Sequence, residues 1–189
     1  SAIVTEATVK DEVPDLYAKT SGWRQFKGSK IYFFNPDYPM GTRINPLDKM
    51  KLVSKDEFAQ AADELAALVI ANTTPPGTNR SDPIWDKSEK HLLWIMIMHV
   101  ASSDDPKNAN FGAIRVIIRL SDKEIKRLLK ESNSEIAREE FDSFIVHSSE
   151  SFRHGVFAGL LTRLNPWLSN VVQTMTSATD LDFKDLESE

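Results

Sequence analysis

The side chains with the greatest chemical capacity are four histidines, and their spacing argues against a metal centre. His91 and His99 lie eight residues apart on one predicted helix, and His147 and His154 lie seven apart. Zinc pairs on a helix use separations of three to five residues, which put both imidazoles on one face. No H-E-x-x-H occurs, and the chain has no cysteine, which removes disulfides, thiolate metal sites and a Cys nucleophile. The adjacent carboxylates Asp104-Asp105 and Glu139-Glu140 fall in polar stretches, whereas acid–base work needs burial to move a pKa. Serines are plentiful, but there is no G-x-S-x-G elbow. Neither G-x-x-x-x-G-K-[ST] nor G-x-G-x-x-G occurs among the seven glycines, and Gly28-Ser29-Lys30 lacks the upstream glycine. No catalytic, cofactor-binding or metal-ligating residue is expected.

What remains is charge. Lys123, Lys126, Arg127 and Lys130 form a local basic face beside Asp122, Glu124 and Glu131. Mixed signs at i,i+3 and i,i+4 describe an exposed, salt-bridged helix. The same four cations are the candidate partner-binding residues, set against the plainer reading of solvating charge. Over the whole chain 28 acidic residues outnumber 23 basic ones, a formal net charge of −5. That balance excludes a strongly basic nucleic-acid binder and leaves room for a basic patch. The aromatic residues Trp85, Trp94, Phe141, Phe144, Phe152 and Phe157 read as core, with a groove for a partner helix as the alternative.

The elements that must position this face are mostly helices. Apolar residues are 41% of 189, enough for one domain with arms. The first fifty residues differ from the rest: Ala2–Thr5 and Lys30–Phe34 are β-type runs, with a short helix between Pro14 and Trp23. Such a lone βαβ-type unit leaves its sheet uncovered, so it reads as a fragment of a larger sheet or a flap. Ser54-Lys55-Asp56-Glu57 predicts a capping box before the helical run Phe58, Ala61, Ala62, Leu65, Leu68 and Val69. Asp82 as cap and Pro83 at the first helical position start the next helix. It passes through Trp85 and the apolar run Leu92–Met98 to about Val100, and should be the central, most buried one. Phe111–Leu120 is β-branched enough to be ambiguous; its neighbours favour helix.

Ser121-Asp122-Lys123-Glu124 is a second capping-box match, opening the basic helix. A helix over Ser134–Ser149 follows, then one carrying Phe152, Val156, Phe157, Leu160, Leu161 and Leu164. Asn165-Pro166 should break it before Trp167–Met175. The tail from Thr176 is polar and acidic. The expected fold is mainly α: a bundle-like helical domain over 51–176, a small β-containing N-terminal arm over 1–50 and a C-terminal segment over 177–189. Leu92–Met98 is far shorter than the roughly 20 residues of a membrane span. No basic stretch followed by an apolar one opens the chain, so no secretory leader is expected.

Several segments in order resemble the type IV secretion coupling proteins, the TraG-like ATPases of conjugation and effector export. They are Val9-Lys10-Asp11-Glu12, Leu16-Tyr17-Ala18-Lys19-Thr20, Ile31-Tyr32-Phe33-Phe34-Asn35-Pro36 and Arg43-Ile44-Asn45-Pro46-Leu47. Ser81-Asp82-Pro83-Ile84-Trp85 and Thr176-Ser177-Ala178-Thr179-Asp180-Leu181-Asp182-Phe183 complete the set. Thr8 and Val9 stand where the family has Asp-Pro, and its P-loop and Walker B strand are missing. The resemblance implies the family's all-helical insertion domain with short flanks of the ATPase domain. It implies a substrate-receptor role, with a secreted effector, relaxase or adaptor as partner, and no chemistry in this chain. A DNA-contacting role is the alternative it allows. For the full-length protein it implies ATP and Mg, a membrane anchor, a hexamer, and a place at the cytoplasmic face of the bacterial inner membrane. The isolated chain would be monomeric. A stand-alone helical enzyme, the third reading, has no supporting motif.

Overall fold

The computed structural model describes residues 15–35, 41–73 and 83–181. The chain divides into two compact units, residues 46–168 and residues 1–45 with 169–189.

In the first unit the helices are α2 (Phe58–Asn72), α3 (Ile84–Ala101), α4 (Phe111–Ile117), α5 (Asp122–Leu129), α6 (Glu135–His147) and α7 (Glu150–Arg163), with α1 (Asp15–Phe26) preceding them in the other unit. Helix α3 is central, packed against α2, α4, α6, α7 and the 3-10 turn Pro46–Lys51. The reason is its composition: Leu92, Leu93, Ile95, Met96, Ile97 and Met98 are all buried, and a helix apolar nearly all round must be enclosed. Helix α2 buries Ala61, Ala62, Leu65, Ala66 and Ile70. The Trp94 indole N–H donates to the Ala59 carbonyl at 2.9 Å, and Lys90 pairs with Asp63 at 2.7 Å.

Helix α7 meets α3 through two glycines one turn apart. A Cβ on Gly155 would lie 2.7 Å from the Trp85 ring, and one on Gly159 would strike the Glu89 carboxylate. These gaps accept Trp85 and Glu89, which are themselves one turn apart on α3. Phe152 stacks on Trp85 at 5.1 Å between centroids.

Caps match residue chemistry. Asn110, Ser134 and Ser149 each accept a backbone N–H from three residues on, and Ser121 with Glu124 forms the full reciprocal box. Phe111–Ile117 is helical, as its neighbours suggested. The break at Asn165-Pro166 is present too: α7 stops at Arg163 and a 3-10 turn follows over Asn165–Leu168. Two starts differ from expectation. Ser54 and Glu57 make half a box: Glu57 accepts the Ser54 N–H and hydroxyl, and the helix opens only after Glu57, with no side-chain cap bond. Pro83 is itself the N-cap of α3, and Asp82 lies outside the described residues.

In the second unit α1 buries no residue. It ends where Gly28, at φ +87°, enters the left-handed region. Gly28 N–H then reaches the Gln25 carbonyl at 2.9 Å and Ser29 N–H the Arg24 carbonyl at 3.0 Å, the bond pair of a Schellman terminus. Helix α8 spans Asn170–Met175. Around it, residues 41–45 and 175–180 run side by side. Ile44 N–H donates to the Met175 carbonyl and Asp180 N–H to the Arg43 carbonyl. Arg43 grips Asp180 with two side-chain bonds, at 2.9 and 2.7 Å.

The β-containing arm is a correction. Among the described residues no strand forms: 29–35 keep a non-helical backbone without a ladder. Thr42 N–H donates to the Phe33 carbonyl. The Phe33 N–H, however, is taken by the Thr42 hydroxyl, where a ladder uses a main-chain carbonyl. The β-type residues Ile31–Phe34 are shaped for a sheet, and sheet structure needs neighbouring strands in succession. The other predicted strand, Ala2–Thr5, lies outside the described residues.

Candidate functional site

Helix α5 is built to aim one face inward and one outward. Ile125 and Leu129 are fully buried and Leu128 partly so. The opposite side therefore carries Lys123, Arg127 and Lys130, all exposed, with half-buried Lys126 on the flank. Separations of four and three residues put the first three on one stripe. These four cations, with Glu124, line an open depression along the helix.

Two of the three acidic neighbours, Asp122 and Glu124, are committed elsewhere. Asp122 accepts from Arg153 at 2.8 Å, and Arg153 also donates to the Ile145 and Ser148 carbonyls, tying α5 to α6 and α7. The Glu124 carboxylate accepts the Ser121 hydroxyl at 2.7 Å and its N–H at 2.9 Å. Those two bonds, with the positive charge of Arg127 behind them, hold Glu124 below the usual carboxylate range. Lys126 pairs with Asp142 of α6 at 2.9 Å. Among the described residues Lys123, Arg127 and Lys130 form no ion pair. Three of the seven charges along α5, Asp122, Glu124 and Lys126, are thus spent on the fold, and the outer stripe is not.

Charge is segregated on a larger scale. Residues 107–130 hold seven basic and two acidic side chains, net +5, in a chain of net −5. Residues 131–150 hold six acidic and one basic, net −5 with His147 neutral. The two segments meet where α5 packs on α6.

The histidines are dispersed. His99 is mostly buried, its Nδ1 2.8 Å from the Ser132 hydroxyl, and burial lowers its pKa. His91 lies 3.4 Å from Glu140, and His147 and His154 are exposed. Among the described residues no group of three or more potential ligands could hold a metal ion.

Sequence reasoning missed one constellation. Arg163, 4% exposed, reaches Glu89, 1% exposed, and the partly exposed Asp86. Its remaining donors meet the Ile70 carbonyl at 3.0 Å and the Thr73 hydroxyl at 3.5 Å. The group locks α2, α3 and α7 together. The readable signal was Gly155 and Gly159, one turn apart on a helix with no need for glycine except close approach.

Gly28-Ser29-Lys30 does not fit a nucleotide phosphate. It follows the C-terminus of α1, where carbonyls rather than N–H groups converge and the helix dipole is negative.

A family model described as type IV secretory system conjugative DNA transfer matches residues 3–189. No curated protein matches the chain.

Proposed function

This chain belongs to the type IV secretory conjugative DNA-transfer family, part of a membrane-associated bacterial machinery, and from that premise we propose that its helical body is a substrate-receptor domain. Residues 46–168 hold a protein cargo or its adaptor, a relaxase or secreted effector among them, for delivery to the secretion channel. The single observation that carries this reading is the α5 stripe: Lys123, Arg127 and Lys130 stand exposed while Asp122 and Glu124 beside them are engaged by the fold. The chain performs no catalysis. ATP and Mg belong to the assembled motor rather than to these residues, a view supported by the wrong polarity of the Gly28 turn. Among the described residues no helix is long and apolar enough to cross a membrane. A membrane anchor and a hexameric ring at the cytoplasmic face of the inner membrane are part of the proposal for the full-length protein.

The test is capture of the purified relaxase, effector or adaptor encoded with the same secretion machinery. Wild-type chain is expected to retain its partner, and Lys126→Glu with Arg127→Glu to release it. Equal capture by both would remove α5 from the receptor surface. A second reading, direct DNA contact, draws on the +5 of residues 107–130. It requires oligonucleotide binding that weakens steeply with salt.

A further inference from the structure

We propose that the outer stripe of α5 recognises an acidic α-helix, with carboxylates at i, i+4 and i+7, rather than a phosphate backbone. This rests on the receptor reading above and names the chemistry of its partner.

The molecule displays the mode of contact once already. Helix α6, in the acidic segment 131–150, lies beside α5, and its Asp142 takes Lys126 at 2.9 Å. One flank of α5 is therefore read by an acidic helix of the same chain. The outer stripe carries Lys123, Arg127 and Lys130 at i, i+4 and i+7, with no ion pair among the described residues. Lys123 and Lys130 are seven residue steps apart, about 10 Å of helix rise, with Arg127 between them. A second helix lying alongside meets all three with one turn-to-turn row of Glu or Asp. The helix backbone presets the spacing of the three cations, so binding a matching row of anions orders only their side chains.

Charge complementarity also decides against nucleic acid. Glu131, Glu135 and Glu139, all exposed, follow within a few residues of the stripe. Outside residues 107–130 the chain carries net −10, the difference between its −5 and that segment's +5. A phosphate backbone extending past the C-terminal end of the stripe runs into Glu131, Glu135 and Glu139. A short acidic helix ends before it does.

The probe is a stapled helical peptide bearing Glu at i, i+4 and i+7, its Gln counterpart, and single- and double-stranded DNA oligonucleotides. Binding to the whole chain is followed by fluorescence anisotropy at about 50 and 200 mM salt. The expected result is binding of the Glu peptide, about tenfold weaker for the Gln peptide and for Lys123→Glu/Arg127→Glu/Lys130→Glu. Higher salt should weaken it further. Lys123→Gln/Arg127→Gln/Lys130→Gln, which adds no charge to the fold, should lose most of the same affinity. Oligonucleotide binding tighter than the Glu peptide's, or a Glu peptide indifferent to these substitutions, overturns the inference. Parallel assays of transfer separate the two layers. If the triple reversal stops transfer but the Glu peptide never binds, the receptor reading stands and the acidic helix falls. If the peptide binds as described and transfer is untouched, the surface is real and the receptor reading falls.

Discussion

The α3–α7 seam and the α5–α6 pair use the same charged side chains for opposite ends. At the seam Arg163 and Glu89 are enclosed and hold each other. Between α5 and α6 the pair is half exposed: Lys126 and Asp142 keep 43% and 53% of their side-chain surface. In water such a pair is worth about 0–1 kcal/mol. A buried partner left alone costs several times that. Burial, more than the identity of the charges, thus separates residues that hold the molecule from those free to meet another.

The largest effect should come from breaking the seam. Arg163→Ala takes the guanidinium from Glu89 in a closed site and should cost about 3–5 kcal/mol of unfolding free energy in urea titration. Arg163→Met with Glu89→Met should recover most of it, because both buried charges go together and Asp86, the other partner of Arg163, is partly exposed to water. If the double change costs as much as the sum of the singles, the seam is not held by their pairing. Gly159→Ala comes next, at roughly 1–3 kcal/mol, since its Cβ meets the Glu89 carboxylate. Gly159→Ala combined with Glu89→Ala should show less than additive loss; full additivity would mean the close approach is elsewhere.

A smaller effect concerns pH. His99 has its pKa lowered from 6.5 by burial, so the unfolded chain takes a proton more readily than the folded one. Its contribution is full above pH 6.5 and declines as the pH falls below that value. His99→Gln should flatten the stability profile between about pH 7.5 and 5.5. The same slope in wild type and variant would assign the dependence to other groups. Smallest of all, Lys126→Ala should leave unfolding free energy within about 1 kcal/mol of wild type. A larger loss would move α5 from the free region into the structural one.

Much of this was legible in order along the chain. Ser121-Asp122-Lys123-Glu124 announced α5 because a capping box is local, and its stripe was readable because four cations sit within eight residues. Which of them stay unpaired was not readable, since that depends on Arg153 claiming Asp122 from 31 residues away. Arg163 and Glu89 are 74 residues apart, and no local pattern joins them. The run Ile31–Phe34 misled for a related reason: β propensity reports a fit to a sheet surface, and no strand pairs with it among the described residues.

The central claim is that the α5 stripe serves a partner and not the fold. It is tested most directly by transfer frequency in cells whose protein carries Lys123→Gln, Arg127→Gln and Lys130→Gln at wild-type abundance. The account predicts that transfer falls at least about tenfold, the loss expected when several interfacial charge pairs go together. Transfer at the wild-type frequency would contradict it and leave these cations as solvating charge.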